Sequence, residues 1–201
     1  MKKISQLIIL TLLIVLSACK EENKTSNEEG EKTEEVKKEE KKNNAIEDGN
    51  RKKYVSIRLE SKSDSKAYGK LYFEEVDGMV TLEAKFIDLD PGTHAVHIHE
   101  KADCSSPDGK SAGGHWNPTF ESHGKWGDEN GYHKGDIGNI EADENGFAKL
   151  NMQTDEWCIG CGDETKDILG KSIIVHQGVD DFVSQPSGNA GARISCGGII
   201  Q

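Results

Sequence analysis

The stretch Gly92-Thr93-His94-Ala95-Val96-His97-Ile98-His99-Glu100 decides both the fold class and where to look for chemistry. Side chains two apart in a strand share a face, so His97 and His99 point the same way and can reach one metal ion. His94, Val96 and Ile98 take the opposite face, which assigns His94 to the core rather than to a ligand set. Outward from here the chain keeps strand periodicity. Val55, Ile57 and Leu59 alternate within 54–60, and Val80, Leu82, Ala84 and Phe86 alternate with Thr81, Glu83 and Lys85. Shorter runs cover 95–100, 147–152, 172–176 and 192–200. Asp77-Gly78, Asp90-Pro91-Gly92, Asn145-Gly146 and Ser187-Gly188-Asn189 punctuate them as turns. No long amphipathic helix is legible, so the expected fold is an all-β antiparallel sandwich or barrel.

Two stretches, residues 101–140 and 177–191, are too long and glycine-rich for hairpins. Long loops in a compact domain are usually functional. The first holds His115, His123, His133 and Asp136, and His176 stands immediately before the second. That is where the chemistry is expected.

The quoted strand resembles the copper-binding strand of the copper/zinc superoxide dismutases. The resemblance continues through Gly113-Gly114-His115-Trp116-Asn117-Pro118, Ser122-His123-Gly124 and His133-Lys134-Gly135-Asp136-Ile137-Gly138-Asn139-Ile140. It resumes at Ile173-Ile174-Val175-His176 and closes with Gly188-Asn189-Ala190-Gly191-Ala192-Arg193-Ile194-Ser195-Cys196-Gly197, spanning 54–201 in order. It implies a Greek-key β-barrel or sandwich of about eight antiparallel strands with two long functional loops, an immunoglobulin-like sandwich architecture. It implies copper, cycling between Cu(II) and Cu(I), at His97, His99, His115 and His176. Structural Zn(II) would sit at His115, His123, His133 and Asp136, with His115 bridging the metals. In the family's mechanism superoxide is converted to oxygen and hydrogen peroxide, and the bridging imidazole also carries a proton. Arg193 matches the arginine that guides superoxide, and His115 and Arg193 are thereby the implied catalytic residues. Asp180 matches the carboxylate joining a copper-bound to a zinc-bound histidine, with Asp181 its neighbour by one position. The family's alternative is a non-catalytic copper- and zinc-binding member; its mark, loss of a copper ligand or of the arginine, is not present here.

The resemblance also pairs Cys104 with Cys196, tying the metal-binding loop to the last strand. Closing a loop of this size contributes roughly 4–5 kcal/mol on the chain-entropy account. Cys158-Ile159-Gly160-Cys161 departs from the family pattern. A local disulfide is favoured over free thiols, a redox pair or a metal site.

Before the domain the composition changes. Lys2 and Lys3 precede an apolar run from Leu7 to Leu16 that ends in Leu16-Ser17-Ala18-Cys19. Residues 1–19 are therefore expected to be a lipoprotein signal peptide with Cys19 as the lipidated residue. Residues 20–50 carry seven Lys and eleven Asp or Glu and hardly an apolar side chain, as expected of a disordered tether. Its reach is roughly 30 Å on random-coil scaling. The expected location is the envelope of a bacterium, lipid-anchored at the periplasmic side of a membrane or at the cell surface. Residues 51–201 form the dismutase-like domain, with 16 Lys and Arg against 25 Asp and Glu, a net charge of −9. No basic patch is legible, so the expected partners are superoxide and a membrane, not nucleic acid. Relatives occur as monomers and as dimers, and a homodimer stays open.

Overall fold

The structure, a computed structural model, describes residues 52–201; the signal, Cys19 and tether readings lie outside them. Eight strands follow in order: β1 (Lys53–Ser61), β2 (Tyr68–Val76), β3 (Met79–Ile87), β4 (Gly92–His99), β5 (Gly138–Ala142), β6 (Ala148–Thr154), β7 (Ser172–His176) and β8 (Arg193–Gly198). All pairings are antiparallel, in the order β5-β4-β7-β8-β1-β2-β3-β6. The outermost strands β5 and β6 come into contact, so the sheet curls into a nearly closed barrel. The β3–β4 and β6–β7 connections each pass over strands to reach the other half, which is Greek-key topology. Among the described residues no helix is long and apolar enough to cross a membrane.

Alternation builds the core. Val55, Ile57 and Leu59 of β1, Leu71 and Phe73 of β2, and Val80, Leu82, Ala84 and Phe86 of β3 are all buried on one face. Their outward neighbours, such as Ser56, Lys70 and Glu83, are exposed. Strands β4 and β7 differ, being buried on both faces from His94 to His99 and from Ser172 to His176. Loops cover their outer side, so polar side chains on it are enclosed.

Strands β2 and β5 escaped the periodicity reading. In β2 the outward Tyr68 and Tyr72 blur the alternation, while β5 offers only Ile140 and Ala142 to the core. One expectation is corrected. Exposed cations separated in sequence are assembled by strand pairing: Arg58 faces Lys70, Lys70 faces Lys85 and Lys85 faces Lys149. A basic row therefore exists on an acidic domain.

Candidate metal centre

Strand β4 supplies His97 and His99, β7 ends on His176, and the long loop returns His115 beside them. Main-chain bonds fasten that loop. Trp116 N–H donates to Ile98 O (2.9 Å), Ile98 N–H to Gly135 O (2.9 Å) and Gly135 N–H to Trp116 O (3.0 Å). A Cβ at Gly135 would collide with the Ile98 carbonyl, so the approach requires glycine there. His94 lies apart from the cluster, held by the carbonyls of His176 (2.9 Å) and Asp90 (2.7 Å).

Two groups of ligand-type atoms result, each with all members within 4.8 Å of one another: His97, His99, His115 and His176; and His115, His123, His133 and Asp136. His115 belongs to both. Six buried imidazole nitrogens face inward: His97 Nδ1, His99 Nε2, His115 Nε2 and His176 Nε2 have no polar partner, while His123 Nδ1 and His133 Nδ1 lie 3.0 and 3.2 Å from the Asp136 carboxylate. Unpaired buried polar atoms are costly and uncommon. Here they converge, which is what an all-nitrogen site and a neighbouring nitrogen–carboxylate site require. The donor set therefore fits two metal ions.

Most of the second ring nitrogens are anchored, and this sets which nitrogen faces inward. His99 Nδ1 lies 3.0 Å from Gly113 O, and His176 Nδ1 3.3 Å from Gly191 O. Asp180 receives His97 Nε2 at 2.8 Å on one oxygen and His123 Nε2 at 2.9 Å on the other. Asp181 instead caps its own turn, accepting from the N–H groups of Val183 and Ser184. Gly188, at φ 63°, passes so close to Asp180 and His123 that a side chain there would overlap both.

Burial sets the protonation states. It pushes His99 well below the ordinary histidine range, His115 to about 4 and His176 to about 3. These rings are neutral near pH 7, with lone pairs available. Burial opposes charge on His123 too, but the Asp136 and Asp180 carboxylates prevail and raise it to about 9. Desolvation likewise works against ionised Asp136 and Asp180. Hydrogen bonds from the surrounding histidines nonetheless hold both well below the usual carboxylate range.

Arg193, at the start of β8, donates from Nη1 to Gly109 O (2.8 Å) and from Nη2 to Gly113 O (2.7 Å). The Gly113 carbonyl thus holds both Arg193 and His99. Cys104 and Cys196 are disulfide-bonded across 92 residues, and Cys158 is bonded to Cys161.

The family described as copper/zinc superoxide dismutase (SODC) matches residues 67–199. The chain belongs to the copper/zinc superoxide dismutase family. Within it, Cu-Zn superoxide dismutase 2 of Aquifex aeolicus is 34% identical over 138 residues, covering 67% of this chain and 80% of the relative. The superoxide dismutase-like protein YojM of Bacillus subtilis is 34% identical over 141 residues, covering 68% and 71%. Among solved structures, a superoxide dismutase-like protein from Bacillus subtilis has a TM-score of 0.65 at 32% identity, covering 73% of this chain and 98% of that one. A double mutant of such a protein, with a tyrosine and a proline replaced by histidine, has a TM-score of 0.65 at 34% identity; the match covers 73% of this chain and 97% of that one.

Several residues that shape the dismutase-family site gave no signal in the sequence. Asn139 clasps the Asp180 backbone in both directions, at 2.9 Å each way. Gln185 does the same for His123, again at 2.9 Å. The 155–171 loop braces the loop that carries His133 and Asp136. Trp157 Nε1 donates to Lys134 O (2.9 Å), and Glu156 accepts from Tyr132 Oη (2.6 Å) and pairs with Lys134. Only the Lys134 position, between His133 and Asp136, hinted that this segment mattered.

Proposed function

We propose that the chain binds copper at His97, His99, His115 and His176 and zinc at His115, His123, His133 and Asp136, and that it dismutates superoxide to oxygen and hydrogen peroxide. The observation that carries this reading is the convergence of six buried imidazole nitrogens, four of them with no polar partner, on two adjoining positions with His115 in both. Bound copper supplies one-electron chemistry, accepting an electron from one superoxide and giving it to a second. The zinc-side set of three nitrogens and a carboxylate leaves no open position, so its role is structural and electrostatic.

The chain's own residues supply the rest. Arg193 presents a fixed positive charge and N–H donors to a small anion. His115 holds or yields a proton at Nε2, the nitrogen facing His97 and His99, and so delivers one of the two protons that peroxide needs. Water supplies the other. Asp180 keeps the Nδ1 atoms of His97 and His123 directed inward by accepting at both Nε2 atoms.

A second reading keeps the metals and drops the turnover. The superoxide dismutase-like names of similar relatives and solved structures favour it directly. The Aquifex relative carries the full dismutase name, and all four proposed copper ligands and Arg193 are in place here. Metal analysis of the purified protein with a dismutation assay separates the two. Copper and zinc at one each with rapid turnover support the enzyme, and both metals without turnover support the binding protein. Failure to bind either metal overturns both. For the N-terminus we propose lipidation at Cys19 and envelope anchoring through residues 20–50. Incorporation of labelled palmitate, abolished by Cys19→Ala, tests that reading.

A further inference from the structure

The cation row lies on the outer face of β1, β2, β3 and β6, away from the strands that carry the histidines. Arg58, Lys70, Lys85 and Lys149 are directly opposed in register and all exposed. Adjacent strands lie about 4.8 Å apart, so like charges are stacked at close spacing. Such pairs are destabilising, and among the described residues none of the four has an ion-pair partner. Lys149 lies over the Phe147 ring at 5.4 Å, but no contact within the fold offsets the charges of the row.

The face is also shaped. A hollow of about 510 Å³ runs along the row, bordered on its far side by Ser56, Tyr72, Glu83 and Asn151. Those four form the next register row and offer a hydroxyl, a phenol, a carboxylate and an amide. Tyr68, exposed, flanks the cations on the opposite side. Glu60 and Glu74, at the margins, lie near Lys62 (3.9 Å) and Lys52 (2.5 Å) respectively.

We propose that this groove binds a linear acidic polysaccharide, one bearing a carboxylate or sulfate on successive sugars. The cation pitch is comparable to one sugar unit. The opposite wall supplies donors and acceptors for sugar hydroxyls, and exposed tyrosine rings suit the apolar faces of sugars. Glu83 disfavours a plane of packed phosphate headgroups or a phosphate chain, because its carboxylate repels closely spaced phosphates, whereas a sugar chain can turn a hydroxyl to it between its acids. One cation row beside one polar row is the arrangement a chain with acids on one edge and hydroxyls on the other requires.

The test titrates the full chain with polygalacturonate oligomers and with heparin, alongside phosphatidylglycerol vesicles and oligo-dT. Four neutralised charges give a slope near −3 in log affinity against log salt, or roughly 60-fold loss between 50 and 200 mM salt. The expected result is that dependence, with binding at least tenfold weaker in K70Q/K85Q and unchanged in K101Q/K125Q. No binding of either polysaccharide at 50 mM salt overturns the proposal. So does equal weakening by the two variants, or tighter binding of vesicles or oligo-dT than of both polysaccharides.

Discussion

Replacing Asp180 by Asn isolates the contribution of one buried carboxylate to the metal centre. Each Asp180 oxygen accepts from a histidine Nε2, at 2.8 Å from His97 and 2.9 Å from His123. If the Nδ1 atoms of these rings are kept for metals, both Nε2 atoms must carry protons. A carboxylate satisfies two such donors. An amide satisfies only one, because its NH₂ would confront the other N–H. The variant therefore loses one hydrogen bond outright and the charge assistance of the second. Loss of a partner behind a metal ligand typically costs 10–100-fold in affinity, about 1.4–2.7 kcal/mol. Chelator competition should show that weakening for zinc, with Asp181→Asn unchanged because the Asp181 carboxylate accepts only from Val183, Ser184 and Asn189 and from no histidine. The metal-free protein gives a second readout. His123 is raised to about 9 by Asp136 and Asp180 acting against burial. Its stabilisation is full below about pH 6.5, the unfolded value, and is lost as pH rises toward 9. Asp180→Asn should narrow that window, seen as a lower His123 midpoint by NMR. Zinc affinity within twofold of wild type, with an unmoved His123 midpoint, would refute the reasoning.

Other consequences are more direct. Arg193→Ala should lower kcat/KM for superoxide by about 10–100-fold, the size expected for losing a charged donor near the reacting group, while metal content stays unchanged. Cys104→Ser should cost about 4–5 kcal/mol, since the bridge spans 92 residues; a loss below 1 kcal/mol in chemical denaturation contradicts it. Metal-free protein should lose stability as pH falls from about 6.5 toward 4, because unfolded histidines protonate while buried His99, His115 and His176 resist. Each contributes up to about 1.4 kcal/mol per pH unit across that range. A flat melting temperature there is the opposing result. Lys85→Gln should stabilise by roughly 0.2–1 kcal/mol, because Lys85 faces Lys70 and Lys149 across the sheet.

Legibility in the sequence follows from how local each physical signal is. Strand parity is local, so the separation of His94 from His97 and His99 could be read from nine residues. The two histidine groups were reachable only through resemblance, because nothing in the spacing from His99 to His115 to His176 says that a loop returns to its own strand. The Ile98–Trp116–Gly135 clasp that brings it back consists of backbone bonds, which leave little trace in side-chain types. Asn139 and Gln185 were illegible for a similar reason: an amide that clasps a distant backbone looks like any surface amide. The cation row shows the same limit from the other side. Its successive members lie 12 to 64 residues apart, and only the register makes them neighbours.

That placement separates two electrostatic behaviours that net charge alone would merge. Steering of superoxide by local fields is an established property of this enzyme type rather than something inferred for this chain. On the loop around Arg193, Lys110 pairs with Asp108 at 2.8 Å and its charge is largely cancelled. Asp108 stays ionised, held to about 2 mainly by Lys110. Arg193, bonded to the Gly113 carbonyl that also holds His99, then keeps its charge within a domain of net charge −9. The four exposed cations sit on the other half of the barrel and cannot guide an anion to this site through more than one Debye length, about 8–10 Å at working salt. Turnover at low superoxide should therefore change by less than about threefold between roughly 100 and 400 mM salt, because little long-range attraction is present to be screened. Polysaccharide binding should fall steeply over the same range. Pulse radiolysis at several ionic strengths measures the first, and a tenfold or greater fall in rate would mean that cations outside the Arg193 loop direct the substrate.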